Sequence, residues 1–175
     1  MDDPHRPGSA SSTPFDGEGV ATAPKAVIDG GVLTTLLHNL KTANKQGVAT
    51  TANGSRPGYV SSVGVAPTNF YFEPSNTAFE GMLEKLGEGL LITELQGMHA
   101  GANAVTGDFS LAARGFRVRG GRREGPVKQI TVAGNFYEML NAIEAVGSDL
   151  EFRAPGSSCF GSPCLLVSDL SVAGQ

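Results

Sequence analysis

Three polar residues in the middle of the chain have the type and setting to do chemistry. Leu90, Leu91 and Ile92 make a short apolar run bounded by glycines, and Thr93 and Glu94 interrupt it. The run fits a strand covered on both faces, so the two residues that break it are the first candidates for a site. His99 follows among Gly97, Gly101 and Asn103, where a glycine-rich loop can approach a ligand closely. No nucleophile with a base and no set of metal ligands lies in this stretch. Zinc hydrolysis needs two or three His, Cys or carboxylate ligands and an open position for water. The three histidines, His5, His38 and His99, are scattered singly. Cys159 and Cys164 are the only thiols, and Pro163 argues against a ligand knuckle between them. Catalysis by Cys159 would require a base and an electropositive setting brought by tertiary contact from Arg153 or His99; the simpler expectation is a small buried hydrophobe.

A second cluster, from Arg114 to Arg123, holds five arginines among Gly115, Phe116, Gly120 and Gly121. Such a run can hold phosphates or nucleic acid. On a hairpin, however, Arg117 and Arg119 fall opposite Phe116 and Val118, which makes them the wet face of an amphipathic strand and a charged guard against edge pairing. Asn53-Gly54-Ser55 has the form of a glycosylation sequon, and Gly87-x-Gly89 lacks the third glycine of a dinucleotide fingerprint.

The elements that must position these residues can be read from periodicity. With 175 residues, 24 of them Gly and 10 Pro, and only 17% charged, the chain is expected to be one globular, turn-rich domain. The formal charge of −4 opposes a generic nucleic-acid coat. Residues 1–14 have the composition of a flexible tail, and 15–175 form the predicted domain. The absence of a secretory leader, of a disulfide framework and of a membrane-spanning apolar run predicts a cytoplasmic protein with no membrane association.

A first helix is predicted from Val32 through Leu36, Leu37, Leu40 and Ala43 to Gly47, after the turn Asp29-Gly30-Gly31. A long polar connection, Val48 to Ser62, leads to an aromatic strand at Asn69 to Phe72. Thr77 and Glu80 have capping-box spacing for a second helix ending at Gly87. Phe109, Leu111 and Ala113 alternate on odd positions and Phe116 and Val118 on even ones, so a β-bulge is expected at Arg114-Gly115. Gly120-Gly121 turns a hairpin into Val127 to Val132. Asn135 caps a third helix carrying Phe136, Met139, Leu140 and Ile143 and ending at Gly147, and strands follow at Leu165 to Val167 and Leu170 to Val172. Strands in neighbouring runs, interrupted by about three short helices, predict an α+β fold with a curved, largely antiparallel sheet of barrel or sandwich type.

Several segments, taken in order, resemble the C-terminal half of TldD/PmbA proteins: Pro14-Phe15-Asp16-Gly17-Glu18-Gly19, Asp29-Gly30-Gly31-Val32-Leu33, Thr93-Glu94-Leu95-Gln96-Gly97, Val105-Thr106-Gly107-Asp108-Phe109-Ser110, Gln129 to Asn135, Val146 to Leu150 and Ser171 to Gly174. The Thr-Gly-Asp-Phe-Ser form is more similar to PmbA, also called TldE, than to TldD. The resemblance implies a prokaryotic cytoplasmic protease system, historically labelled a modulator of DNA gyrase, in which a TldD-like subunit pairs with a PmbA-like one. It implies that the zinc-binding His-Glu-x-x-x-His helix belongs to the N-terminal half of TldD, so this chain carries no cofactor and zinc resides in the partner. The implied role is to frame a cleft for an extended peptide and to hold the partner, with Thr93, Glu94, His99, Thr106 and Asp108 lining the cleft and no catalytic residue of its own. Nucleic acid is not an expected ligand. Two alternatives stay open: an interaction module for protein or nucleic acid using the arginine hairpin, or a truncated TldD-like peptidase in which Cys159, placed after Gly147-Ser148-Asp149-Leu150, is a stranded zinc ligand.

Overall fold

The computed structural model describes residues 1–154 and 158–174. In chain order the elements are β1 (Ile28–Asp29), β2 (Val32–Leu33), α1 (Leu40–Gln46), β3 (Gly54–Ser55), β4 (Gly64–Val65), β5 (Asn69–Tyr71), α2 (Phe79–Leu86), β6 (Gly89–Gln96), α3 (Met98–Gly101), β7 (Asp108–Arg119), β8 (Arg122–Asn135), α4 (Phe136–Asn141), β9 (Ile143–Val146), β10 (Glu151–Arg153), β11 (Cys159–Ser162), β12 (Leu165–Val167) and β13 (Ser171–Ala173). The fold is α+β, with several mostly antiparallel sheets, none of them closed. It divides into two units, Met1–Glu73 with Leu150–Ser162, and Pro74–Asp149 with Pro163–Gln175.

The second unit is built on the sheet β13-β8-β7-β6, antiparallel throughout. The hairpin β7–β8 turns at Gly120 and Gly121, both at positive φ as a two-residue hairpin loop demands. Alternation then sorts the side chains: Leu111, Ala113 and Gly115 are buried on odd positions, and Val118 is buried on an even one. The phase change falls where it was expected, but the extra residues sit on the neighbouring strands. Ile92 and Glu94 pair with Gly115 and Arg114, leaving Thr93 bulged on β6. Ala113 and Gly115 pair with Ile130 and Val127, leaving one extra residue on β8, where Gln129 takes φ 57°. A Cβ on Gly115 would lie 1.9 Å from the Leu91 carbonyl oxygen, so only glycine lets β6 come this close. Ala113, Ile130 and Val132 form the core, with Leu90, Ile92, Phe109, Val127 and Leu170 packed on it. Burying each aliphatic side chain contributes about 1.5–3 kcal/mol. β6 itself is half-buried rather than covered on both faces, because it is the last strand of the sheet.

The first unit has a polar interior that composition did not reveal. Asp2 is fully buried. One carboxylate oxygen accepts from the Thr68 N–H and hydroxyl at 2.8 and 2.7 Å, and the other accepts from Asn53 Nδ2 at 2.7 Å and Lys25 Nζ at 3.3 Å. Asn69, also fully buried, donates to the Asp3 carbonyl and to Ser12 Oγ and accepts from Ser9 Oγ. Residues 1–14 are therefore packed, in place of the flexible tail expected from their serines and prolines. Around this network lie the hairpins β1–β2 and β3–β4 and the sheet β10-β11-β5, in which β11 runs parallel to β5.

Helix boundaries also depart from periodicity. Val32 and Leu33 pair with Asp29 and Ile28 as a hairpin and not as a helix start, because Gly30 and Gly31 fold the chain straight back. The helix begins only at Leu40, where the Asn39 side chain accepts from the Thr42 N–H and Thr42 returns the bond in a capping box. Thr77 does not cap α2; it forms a parallel bridge with Gly147. Asn135 caps α4 as expected, but the helix stops at Asn141 and Ile143 joins a strand against Val167. The helix that periodicity did not predict, α3, has only four residues and is too short to show a period.

Candidate functional site

The five residues predicted to line one cleft all lie in the second unit, but in separate groups. Thr93 and Glu94 sit at the β6 bulge. Glu94 faces Arg114 across the ladder and accepts from its Nε at 2.7 Å and from its Nη2, while Gln96 Nε2 donates to the other carboxylate oxygen at 2.5 Å. The Thr93 hydroxyl donates to the Arg114 carbonyl at 3.3 Å. Glu94 is thus held in place and partly exposed, its charge oriented toward β7.

Asp108 opens β7, six residues from Arg114 or about 20 Å along the strand, and Thr106 lies in the turn just before it. Here Asn103 Oδ1 accepts from the Val105 and Thr106 N–H groups. Asn135 Nδ2 donates to the Thr106 carbonyl at 2.9 Å and to Asp108 Oδ1 at 2.8 Å, while its Oδ1 caps α4. Hydrogen bonds from Asn135 first, and from Thr106 second, hold the Asp108 carboxyl below its ordinary value. This group fastens a loop to a helix start. Asn103 and Asn135 are the residues missing from the prediction; the cap signature at Asn135 was legible, its second role was not. His99 stands exposed on α3, with no hydrogen-bond partner found for its ring among the described residues. The structure therefore brings Thr93 with Glu94 and Thr106 with Asp108, and does not bring the two pairs together.

Three of the five arginines have acidic or aromatic partners, in the β7–β8 hairpin and in the segment from Glu88 to Glu94. Arg119 lies 3.9 Å from Glu88 and 3.6 Å from Glu124, Arg114 pairs with Glu94, and Arg123 stacks over Phe116 with its Cζ 5.3 Å from the ring centroid. Acidic neighbours on both sides of Arg119 offset the charge a polyanion would need.

Cys159 is buried in β11, its N–H bonded to the Thr68 carbonyl at 2.8 Å. Among the described residues no group of three or more His, Cys, Asp or Glu side chains is arranged to hold a metal. Burial, and then the Asp149 carboxylate, push the Cys164 thiol up, away from thiolate character. No helix is long and apolar enough to cross a membrane among the described residues.

The site thus lies on an α+β domain whose four-stranded antiparallel ladder is bulged on β6 and β8. The model of the PmbA/TldA metallopeptidase C-terminal domain matches residues 1–174, and the chain belongs to that family. It is 38% identical to metalloprotease PmbA of Escherichia coli O157:H7, over 98% of this chain and 35% of that protein. Among solved structures, a candidate modulator of a DNA gyrase from Thermotoga maritima matches with TM-score 0.89 and 44% identity over 98% of this chain and 38% of its own. TldE from Thermococcus kodakarensis matches with TM-score 0.88 and 26% identity, over 99% and 39%. The chain thus spans little more than a third of the relatives it matches.

Proposed function

We propose that this chain is the noncatalytic C-terminal domain of a PmbA/TldE-like subunit in a cytoplasmic, TldD-type zinc peptidase, and that it receives extended peptide and meets a TldD-like subunit. The observation behind the reading is that β6, eight residues long, ends its sheet, with β7 as its one ladder partner among the described residues. A strand added at that terminal position would bind through main-chain hydrogen bonds, with an affinity tolerant of sequence. The Glu94–Arg114 pair and the Thr93 bulge would then set where along β6 such a strand can lie flat. Thr106, Asp108 and His99 serve this site indirectly, by fixing the connection between β6 and β7. Zinc and its chemistry belong to the TldD-like partner in this reading, and no step of hydrolysis is assigned to residues here.

The test is metal analysis and peptide cleavage by the purified chain, alone and with a TldD-like subunit. Substoichiometric zinc and no cleavage alone, with stable association and altered cleavage by the partner, are expected. Stoichiometric zinc with cleavage by the lone chain would overturn the proposal.

A further inference from the structure

The first unit presents an aliphatic surface unrelated to the β6 edge. Ile28 and Leu33 are cross-strand partners in the β1–β2 hairpin, so their side chains share one face. They remain 46% and 58% exposed. Leu33 also lines a groove with Leu36, Val48 and Ala49, and Leu36 and Val48 are about half-exposed. The hairpin, the groove and the segment after α1 thereby join four large aliphatic side chains into one continuous patch. Scattered exposed leucines need no explanation, but a contiguous patch of this kind marks a covered surface. Thr34, Thr35 and Gln46 complete the lining of the groove, and His38, its one titratable side chain, is buried with Nδ1 engaged by Thr42 Oγ1 at 3.2 Å.

The family comparison indicates what covers it. The two solved relatives, of TM-score 0.89 and 0.88, keep this fold inside chains of which it makes up only 38% and 39%. Each relative therefore carries further polypeptide of larger size than this domain. We propose that the patch formed by Ile28, Leu33, Leu36 and Val48 is the docking surface for the polypeptide that accompanies this domain in PmbA-type proteins, and that the occupant meets it with an apolar face. A second copy of the chain is the competing occupant, and nothing in the patch is self-complementary in charge to favour it. The proposal is independent of whether the assembled protein cuts peptides.

The experiment joins the chain to the part of Escherichia coli PmbA lying outside its 35% match, both as a single polypeptide and as two separate proteins. Backbone hydrogen exchange over residues 26–49 is the readout. Exchange there is expected to slow at least tenfold when the added polypeptide is present, and Leu33→Asp and Leu36→Asp should each abolish the protection. Val105→Asp, at an exposed site in the second unit, should leave it intact. Unchanged exchange in both formats overturns the proposal. So does sedimentation of the chain alone as a dimer that Leu36→Asp dissociates, which would give the patch to a second copy.

Discussion

At the scale of single residues, the decisive positions are those where a side chain would collide or lose several partners at once. Gly115→Ala would drive a methyl into the Leu91 carbonyl, 1.9 Å away. Urea denaturation should show a loss of at least about 2 kcal/mol. Asn135→Ala removes the cap of α4 together with the bonds to Thr106 and Asp108, and should cost about 1–2 kcal/mol. The same variant tests the titration of Asp108, whose carboxyl is held below its ordinary value of 3.8 chiefly by Asn135. A depressed folded value means that the contribution is full above the ordinary value and is lost as pH falls through the lower folded one. The carboxyl carbon of Asp108 should therefore titrate at lower pH in the native chain than in Asn135→Ala, and an unchanged midpoint would remove Asn135 as the cause.

Among the elements, the β8 bulge makes its own prediction. Gln129 holds φ 57°, a conformation glycine adopts freely and β-branched residues resist. Gln129→Gly should leave the melting temperature unchanged or raised, whereas Gln129→Val should lower stability by about 1–2 kcal/mol. The bulge itself was legible, because Leu111, Ala113 and Val118 change phase around Arg114-Gly115. Which strand carries the extra residue was not, since that depends on the registers of both neighbours. The helix ends failed for a related reason. Leu36, Leu37 and Leu40 have helical spacing, yet the turn at Gly30-Gly31 and the Asn39 cap divide the segment between a hairpin and a helix of seven residues. In the candidate site, Thr93 and Glu94 fall at the β6 bulge, while the loop that separates them from Thr106 and Asp108 has a geometry set by Asn103 and Asn135.

Across the whole molecule, the main surprise is the polar interior of the first unit. Asp2 and Thr68 are bonded across 66 positions of sequence. A local window of serine, proline and aspartate contains no trace of such a partner, which is why residues 1–14 read as a tail. Asp2→Ala would take the acceptor from Thr68 and Lys25 and one of two from Asn53, and should destabilise the first unit by about 2–4 kcal/mol. Deleting residues 1–14 should erase the amide spectrum of that unit, where removal of a loose tail would leave the spectrum intact.

The terminal position of β6 has one more implication, for behaviour in concentrated solution. A strand of eight residues that ends its sheet among the described residues is a place where identical molecules can stack edge to edge. The Thr93 bulge interrupts the flat run of backbone donors and acceptors, and the Glu94–Arg114 pair puts fixed charge beside the interruption. Deleting Thr93 would straighten the ladder against β7 and restore a continuous edge. Light scattering should then rise steeply with concentration and with salt, as the kink that keeps the molecules apart is lost.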